Sequence, residues 1–95
     1  MIPDQMTAIA IENGKGPAQA LAPARIATPR AGQGQILIRV RAAGVNRPDL
    51  MQRQGYYPPP PGAPATLGLE VAGEVVEVGP GARRWAVGDA VTALL

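Results

Sequence analysis

Ala43-Gly44-Val45-Asn46-Arg47-Pro48-Asp49-Leu50 and, beyond a proline-rich interruption, Leu67-Gly68-Leu69-Glu70-Val71-Ala72-Gly73 are the two runs that decide how this chain is read. The first closes an alternating apolar segment with a glycine and then opens a short helix. It therefore sets Asn46, Arg47 and Asp49 at a strand-to-helix corner, a place where sites are commonly built. Upstream, Ile36, Ile38 and Val40 alternate with Leu37, Arg39 and Arg41, which predicts a strand with three branched residues on a core face and both arginines on a wet one. Gly44 ends that strand. Asn46 is placed to cap the helix, Asp49 three residues later to reach back as in a capping box, Pro48 suits the first turn, and Gly55 stops the helix after about Gln54.

Between the two runs, Tyr56 to Pro64 holds five prolines, four of them consecutive. Such a segment neither pairs into a sheet nor continues a helix, so an extended, semi-rigid polyproline-type loop is expected. Strand character returns from Leu67 through Val78, with an alternation that slips at Gly73 and suggests a bulge or a close backbone approach there. Gly79-Pro80-Gly81 turns the chain, Arg83 to Val87 is a short irregular piece carrying Trp85, Gly88-Asp89 is another turn, and Ala90 to Leu95 is a final strand with an exposed, association-prone edge. Towards the N-terminus, Met6 to Ile11 reads as a strand followed by the Asn13-Gly14 turn signal, and Leu21 to Ile26 as its return, with Pro23 confining it to an edge or irregular pairing. Thr28 to Gln35 is a linker. The architecture expected from these pieces is mostly β, a small distorted barrel with one or two short helices.

Composition narrows the chemistry. Ninety-five residues make one domain, with 46% apolar residues but no Phe and one Trp, so Val, Ile, Leu and Ala must fill the core. Eleven Pro and twelve Gly interrupt every apolar run well short of a membrane span, and no leader pattern opens the chain, so a soluble, cytoplasmic protein without a membrane partner is expected. Cys, His and Ser are all absent. A zinc site with thiolate or imidazole ligands cannot form, and Ser-His-Asp or Cys-His nucleophilic arrangements are excluded. The net charge of +2 invites a nucleic-acid reading, but the nine basic residues are scattered from Lys15 to Arg84 and no aromatic residues are interleaved with them, so no nucleic-acid partner is expected. Gly79-Pro80-Gly81 and Gly32-Gln33-Gly34 both lack the third glycine and the following helix of a dinucleotide fingerprint, and read as turns.

The joined pattern GVNRPDLMQRQGYYPPPPGAPATLGLEVAGEVVEVG, Gly44 to Gly79, resembles the catalytic domain of the medium-chain dehydrogenase/reductase superfamily, and within it the zinc-free quinone oxidoreductase branch, the p53-inducible-protein-3-like group especially. The resemblance runs from about Met6 to Leu95. It implies a GroES-like fold in which residues 1–95 are the N-terminal portion of the catalytic domain, ending before the Rossmann domain that binds the cofactor. In zinc-dependent members a Cys follows the Gly-Val of the first run and a His follows the Gly of the second; Asn46 and Leu69 stand there, so no zinc is expected.

The function implied is NADPH-dependent reduction of a quinone or similar electrophilic carbonyl, with the cofactor carrying the hydride chemistry. No catalytic residue is assigned, and the chain alone is expected to be inactive for want of its nucleotide-binding half. The resemblance implies that Asn46 contacts the nicotinamide end of the cofactor, against the plain alternative of a helix cap. Arg47 approaches a cofactor phosphate or is simply solvated. Tyr57 lines the cofactor and quinone site, or packs on Pro58 to Pro61. Glu70 lines the site floor, or is a partly buried carboxylate satisfied by an Arg or a backbone N–H. Met51 stands where some quinone reductases carry a further Tyr. The full-length form is expected to be a homo-oligomer. The competing expectation is a stand-alone, non-enzymatic GroES-like interaction module.

Overall fold

The computed structural model describes residues 2–95. Alternating small and apolar residues form strand β1 (Gln5–Ile11), and Asn13 and Gly14 both take left-handed φ, as an Asn-Gly turn requires. Strand β2 (Leu21–Ala27) returns antiparallel, pairing Met6 with Ile26 and Ile9 with Pro23. These two strands form a sheet of their own, so each has a free edge and the missing N–H of Pro23 costs no interior ladder bond. The open hairpin expected from the sequence is present.

Strands β3 (Ile36–Ala43), β4 (Glu70–Val78) and β5 (Ala90–Leu94) form a second, antiparallel sheet in that order, with helix α1 (Arg47–Gln54) on the β3–β4 connection. Two short 3-10 turns, Glu12–Gly14 and Ala18–Ala20, complete a mostly β molecule. No helix among the described residues is long and apolar enough to cross a membrane.

Two expectations need correction. Ile36, Leu37 and Ile38 are all partly buried, whereas Val40 is 52% exposed, so the simple alternation of β3 fails. The reason is that burial runs along β3 and not across it: Ile36 to Ile38 are partly covered, while every residue from Arg39 to Ala43 is exposed whichever face it occupies. The β3–β4 register also slips twice, between Leu37 and Ile38 and between Val40 and Ala42. The fourth strand begins at Glu70, three residues later than Leu67. β5 is, as expected, an edge strand: its inner side is laddered, Glu70 opposite Leu94 through Glu74 opposite Ala90, and its outer side is open.

Gly73 meets its expectation. A Cβ on it would lie 2.0 Å from the Arg39 carbonyl oxygen, so only glycine lets β3 and β4 approach at this point. The core is thin: Val75 is 1% exposed and Ala82 9%, with Val75 also exchanging backbone bonds with Asp89 and Gly88 at 2.9 and 2.8 Å. The linker after β2 is tied onto the far end of β4. Arg30 Nε donates to both Glu77 carboxylate oxygens at 3.1 and 3.0 Å, and the Ala31 N–H donates to Oε1 at 2.7 Å. The Arg30 guanidinium, with the Ala31 N–H, holds the Glu77 carboxyl down to about 2. Arg41 pairs with Glu74 across β3 and β4 at 3.0 Å on the exposed face.

Candidate functional site

β3 must turn sharply into α1, and the corner is built from the first of the two runs. Asn46 has extended backbone (φ −122°, ψ 163°) and stands at the N-cap of α1 with Pro48 in the first turn. The Asp49 Oδ2 accepts the Asn46 N–H at 2.9 Å, while the Asn46 carbonyl accepts the Asp49 N–H at 3.0 Å. The Asp49 arm of the capping box read from Asn46-x-x-Asp49 is therefore formed. Asp49 is buried, and the other end of the helix closes at Gly55 in the left-handed region, as the sequence implied.

The second run then meets the first. Asn46 Nδ2 donates to Glu70 Oε1 at 3.0 Å, a contact between residues 24 apart. An ionised carboxylate only accepts, so the amide nitrogen of Asn46 must be the atom turned towards it. Gly44 makes room for this: a Cβ there would lie 2.0 Å from Glu70 Oε1 and 2.7 Å from its Cδ. Among the described residues the Glu70 side chain is satisfied neither by an Arg nor by a backbone N–H, the partners its sequence context suggested, but by the side chain of the cap residue itself.

Beside this pair the ends of β3, β4 and β5 enclose an open cleft of about 500 Å³. Its walls include Ala43, Gly44, Ala72 and Ala93, with Glu70 and Thr92 supplying the polar side chains. Val71 and Leu94 add larger apolar side chains to these small ones, a lining that suits a flat apolar ring, and the Glu70 carboxylate gives an acceptor at its edge. A smaller hollow of about 280 Å³ lies between Lys15, Gln52, Pro58 and Pro59, where the Gln52 amide donates to the Ala65 carbonyl at 2.8 Å and fastens the proline loop to α1.

Of the candidate residues, Asn46 is brought to the cleft through Glu70. Arg47 is exposed at the start of α1, and its guanidinium makes no hydrogen bond or ion pair among the described residues. Tyr57 is 49% exposed, and neither residue lines the 500 Å³ cleft. Gly44 and Thr92 were not singled out as site residues. Gly44 read only as a strand end, and Thr92 became visible only when β5 was laid beside β4. The described strands pair only antiparallel, so β3-α1-β4 is not the parallel strand-helix-strand unit that holds a nucleotide's phosphates, and the described residues include no other candidate for one.

Comparison with known proteins gives the same architecture. Residues 32–94 match the family model of the alcohol dehydrogenase GroES-like domain. The chain is 50% identical over 66 residues to the synaptic vesicle membrane protein VAT-1 homolog of Rattus norvegicus, covering 70% of this chain and 16% of that protein. It is 40% identical over 81 residues to the acryloyl-coenzyme A reductase of Metallosphaera sedula, covering 85% of this chain and 24% of that one. The crystal structure of the Escherichia coli quinone oxidoreductase complexed with NADPH superposes with a TM-score of 0.80 at 32% identity, covering 94% of this chain and 28% of that one. This chain thus spans between about a sixth and a quarter of the two curated relatives named.

Proposed function

The chain belongs to the alcohol dehydrogenase GroES-like domain family, and on that premise we propose that it forms the front of the catalytic domain of a zinc-free, NADPH-dependent quinone oxidoreductase. The observation that carries this reading is the Asn46–Glu70 pair at the strand-to-helix corner, an amide on a carboxylate beside a cleft lined mainly by apolar side chains. Likeness to an oxidoreductase crystallised with NADPH supports the choice of cofactor.

When bound, NADPH supplies the hydride. The residues of this chain bind and orient. Asn46, fixed by Asp49 on its backbone and by Glu70 on its side chain, offers its remaining amide hydrogen to the nicotinamide end. Arg47 is free to meet a phosphate, and the half-exposed Tyr57 presents a flat face and an O–H to the acceptor. Orientation of two flat rings against each other is the main task left to the protein.

A second reading is favoured by the acryloyl-coenzyme A reductase relative: the hydride acceptor is an enoyl thioester instead of a quinone. Tyr57 separates a quinone-orienting loop from a bystander. In the enzyme with its cofactor domain, Tyr57→Phe should lose about one hydrogen bond, on the order of 0.5 to 1.5 kcal/mol, and Tyr57→Ala that plus the aromatic contact. Quinone turnover should fall roughly ten- to a hundredfold in the Ala variant, with an unchanged melting profile. Wild-type kcat and KM in Tyr57→Ala would remove the residue from the site. Elemental analysis should find no stoichiometric zinc, and one tightly held zinc per chain would overturn the zinc-free assignment.

A further inference from the structure

Asn46 does not line the cleft; Glu70 does. The contact between them therefore has a direction. Asn46 Nδ2 holds Glu70 Oε1 at 3.0 Å, and Glu70 Oε2 makes no hydrogen bond among the described residues although the side chain is half-buried. With one oxygen held and no Cβ at Gly44 to push it away, the carboxylate is pre-oriented, and its second oxygen can only accept. Ala43, Ala72 and Ala93, with the larger side chains of Val71 and Leu94, give the adjoining walls an apolar lining against which a planar ring can lie.

We propose that Glu70 is a ligand-contacting residue, accepting a hydrogen bond from an N–H or O–H donor carried by a flat ring in this cleft, with Asn46 as the positioning residue that aims it. The proposal rests on the oxidoreductase reading above, which supplies two rings of this chemistry: the carboxamide-bearing nicotinamide and the hydroxyl-bearing hydroquinone product. A ring that offers only acceptors meets the lone pairs of the carboxylate and is disfavoured.

The test uses the isotope-labelled 95-residue chain and two matched pairs of probes: nicotinamide against N,N-dimethylnicotinamide, and hydroquinone against its dimethyl ether. Affinity is read from backbone amide shifts at Gly44 and Thr92. The donor-bearing ring of at least one pair should bind roughly two- to tenfold more tightly than its blocked counterpart, the worth of one hydrogen bond. The pair that responds identifies the cofactor side or the acceptor side. Glu70→Ala should abolish the preference. Glu70→Gln keeps the shape, but its oxygen must face Asn46 Nδ2, which turns an NH2 towards the cleft, so the preference should disappear or invert even where the Ala variant folds poorly. Equal binding within both pairs, a preference that survives both substitutions, or no shift with any probe would each overturn the proposal. Because no turnover is measured, its failure is separate from failure of the quinone assignment, which is read from kinetics.

Discussion

At the scale of single residues, Gly44 and Glu70 bear the most weight. Gly44→Ala places a methyl group 2.0 Å from Glu70 Oε1, so the carboxylate must swing out and the Asn46 bond must break. A loss of about 1 to 3 kcal/mol is expected from forced repacking, read by chemical denaturation. The link itself is measured by a double-mutant cycle of Asn46→Ala and Glu70→Ala, for which a coupling of roughly 0.5 to 1.5 kcal/mol is expected for a partly exposed charge-assisted bond. Additive losses would mean that the two runs merely lie near each other. The corner around Asn46 was legible in the sequence because its capping box and glycine stop act over short stretches of chain. The partner of Glu70 was not, because nothing local to Glu70 says that an asparagine 24 positions earlier will face it.

At the scale of elements, the surroundings of a strand corrected what its sequence suggested alone. Val40 follows the alternation of Ile36 and Ile38 in sequence yet lies 52% exposed, since no other element among the described residues covers either face of β3 from Arg39 to Ala43. The close approach at Gly73 was readable, because a glycine that breaks strand alternation usually marks a bulge or a neighbouring backbone drawn in close. Gly73→Ala sets a methyl group 2.0 Å from the Arg39 carbonyl oxygen, backbone against side chain with nothing flexible to yield. It should be more damaging than Gly44→Ala, to the point of losing cooperative unfolding in thermal melts; a melting temperature within a few degrees of wild type would show that the strands can separate at little cost. The tie between the linker and β4 makes a pH prediction. Glu77, held at about 2 against an ordinary value of 4.5, favours the folded state fully above that ordinary range, and the contribution is lost as pH falls towards 2. Glu77→Gln should therefore weaken the protein near neutrality, and the gap from wild type should close on acidification through that window. A gap that stays constant with pH would mean the ionised pair contributes nothing.

At the scale of the whole molecule, a thin core and an open β5 edge leave much apolar surface outside, with Leu94 and Leu95 both at least 75% exposed. Free backbone groups on such an edge template further pairing, so light scattering should show association that grows with concentration, and a clean monomer at high concentration would contradict it. The mostly β class and the lack of a nucleotide fingerprint were legible from branched runs, turn glycines and failed glycine spacings. Which elements would share a sheet was not, because β3, β4 and β5 meet across connections as long as that from Ala43 to Glu70, whose closure the sequence does not specify. The central claim, a quinone as hydride acceptor, is tested most directly by steady-state NADPH oxidation with this chain joined to a cofactor domain, offered 1,4-benzoquinone or acryloyl-coenzyme A in turn. A higher kcat/KM is predicted for the quinone; turnover of the thioester with none of the quinone would contradict it.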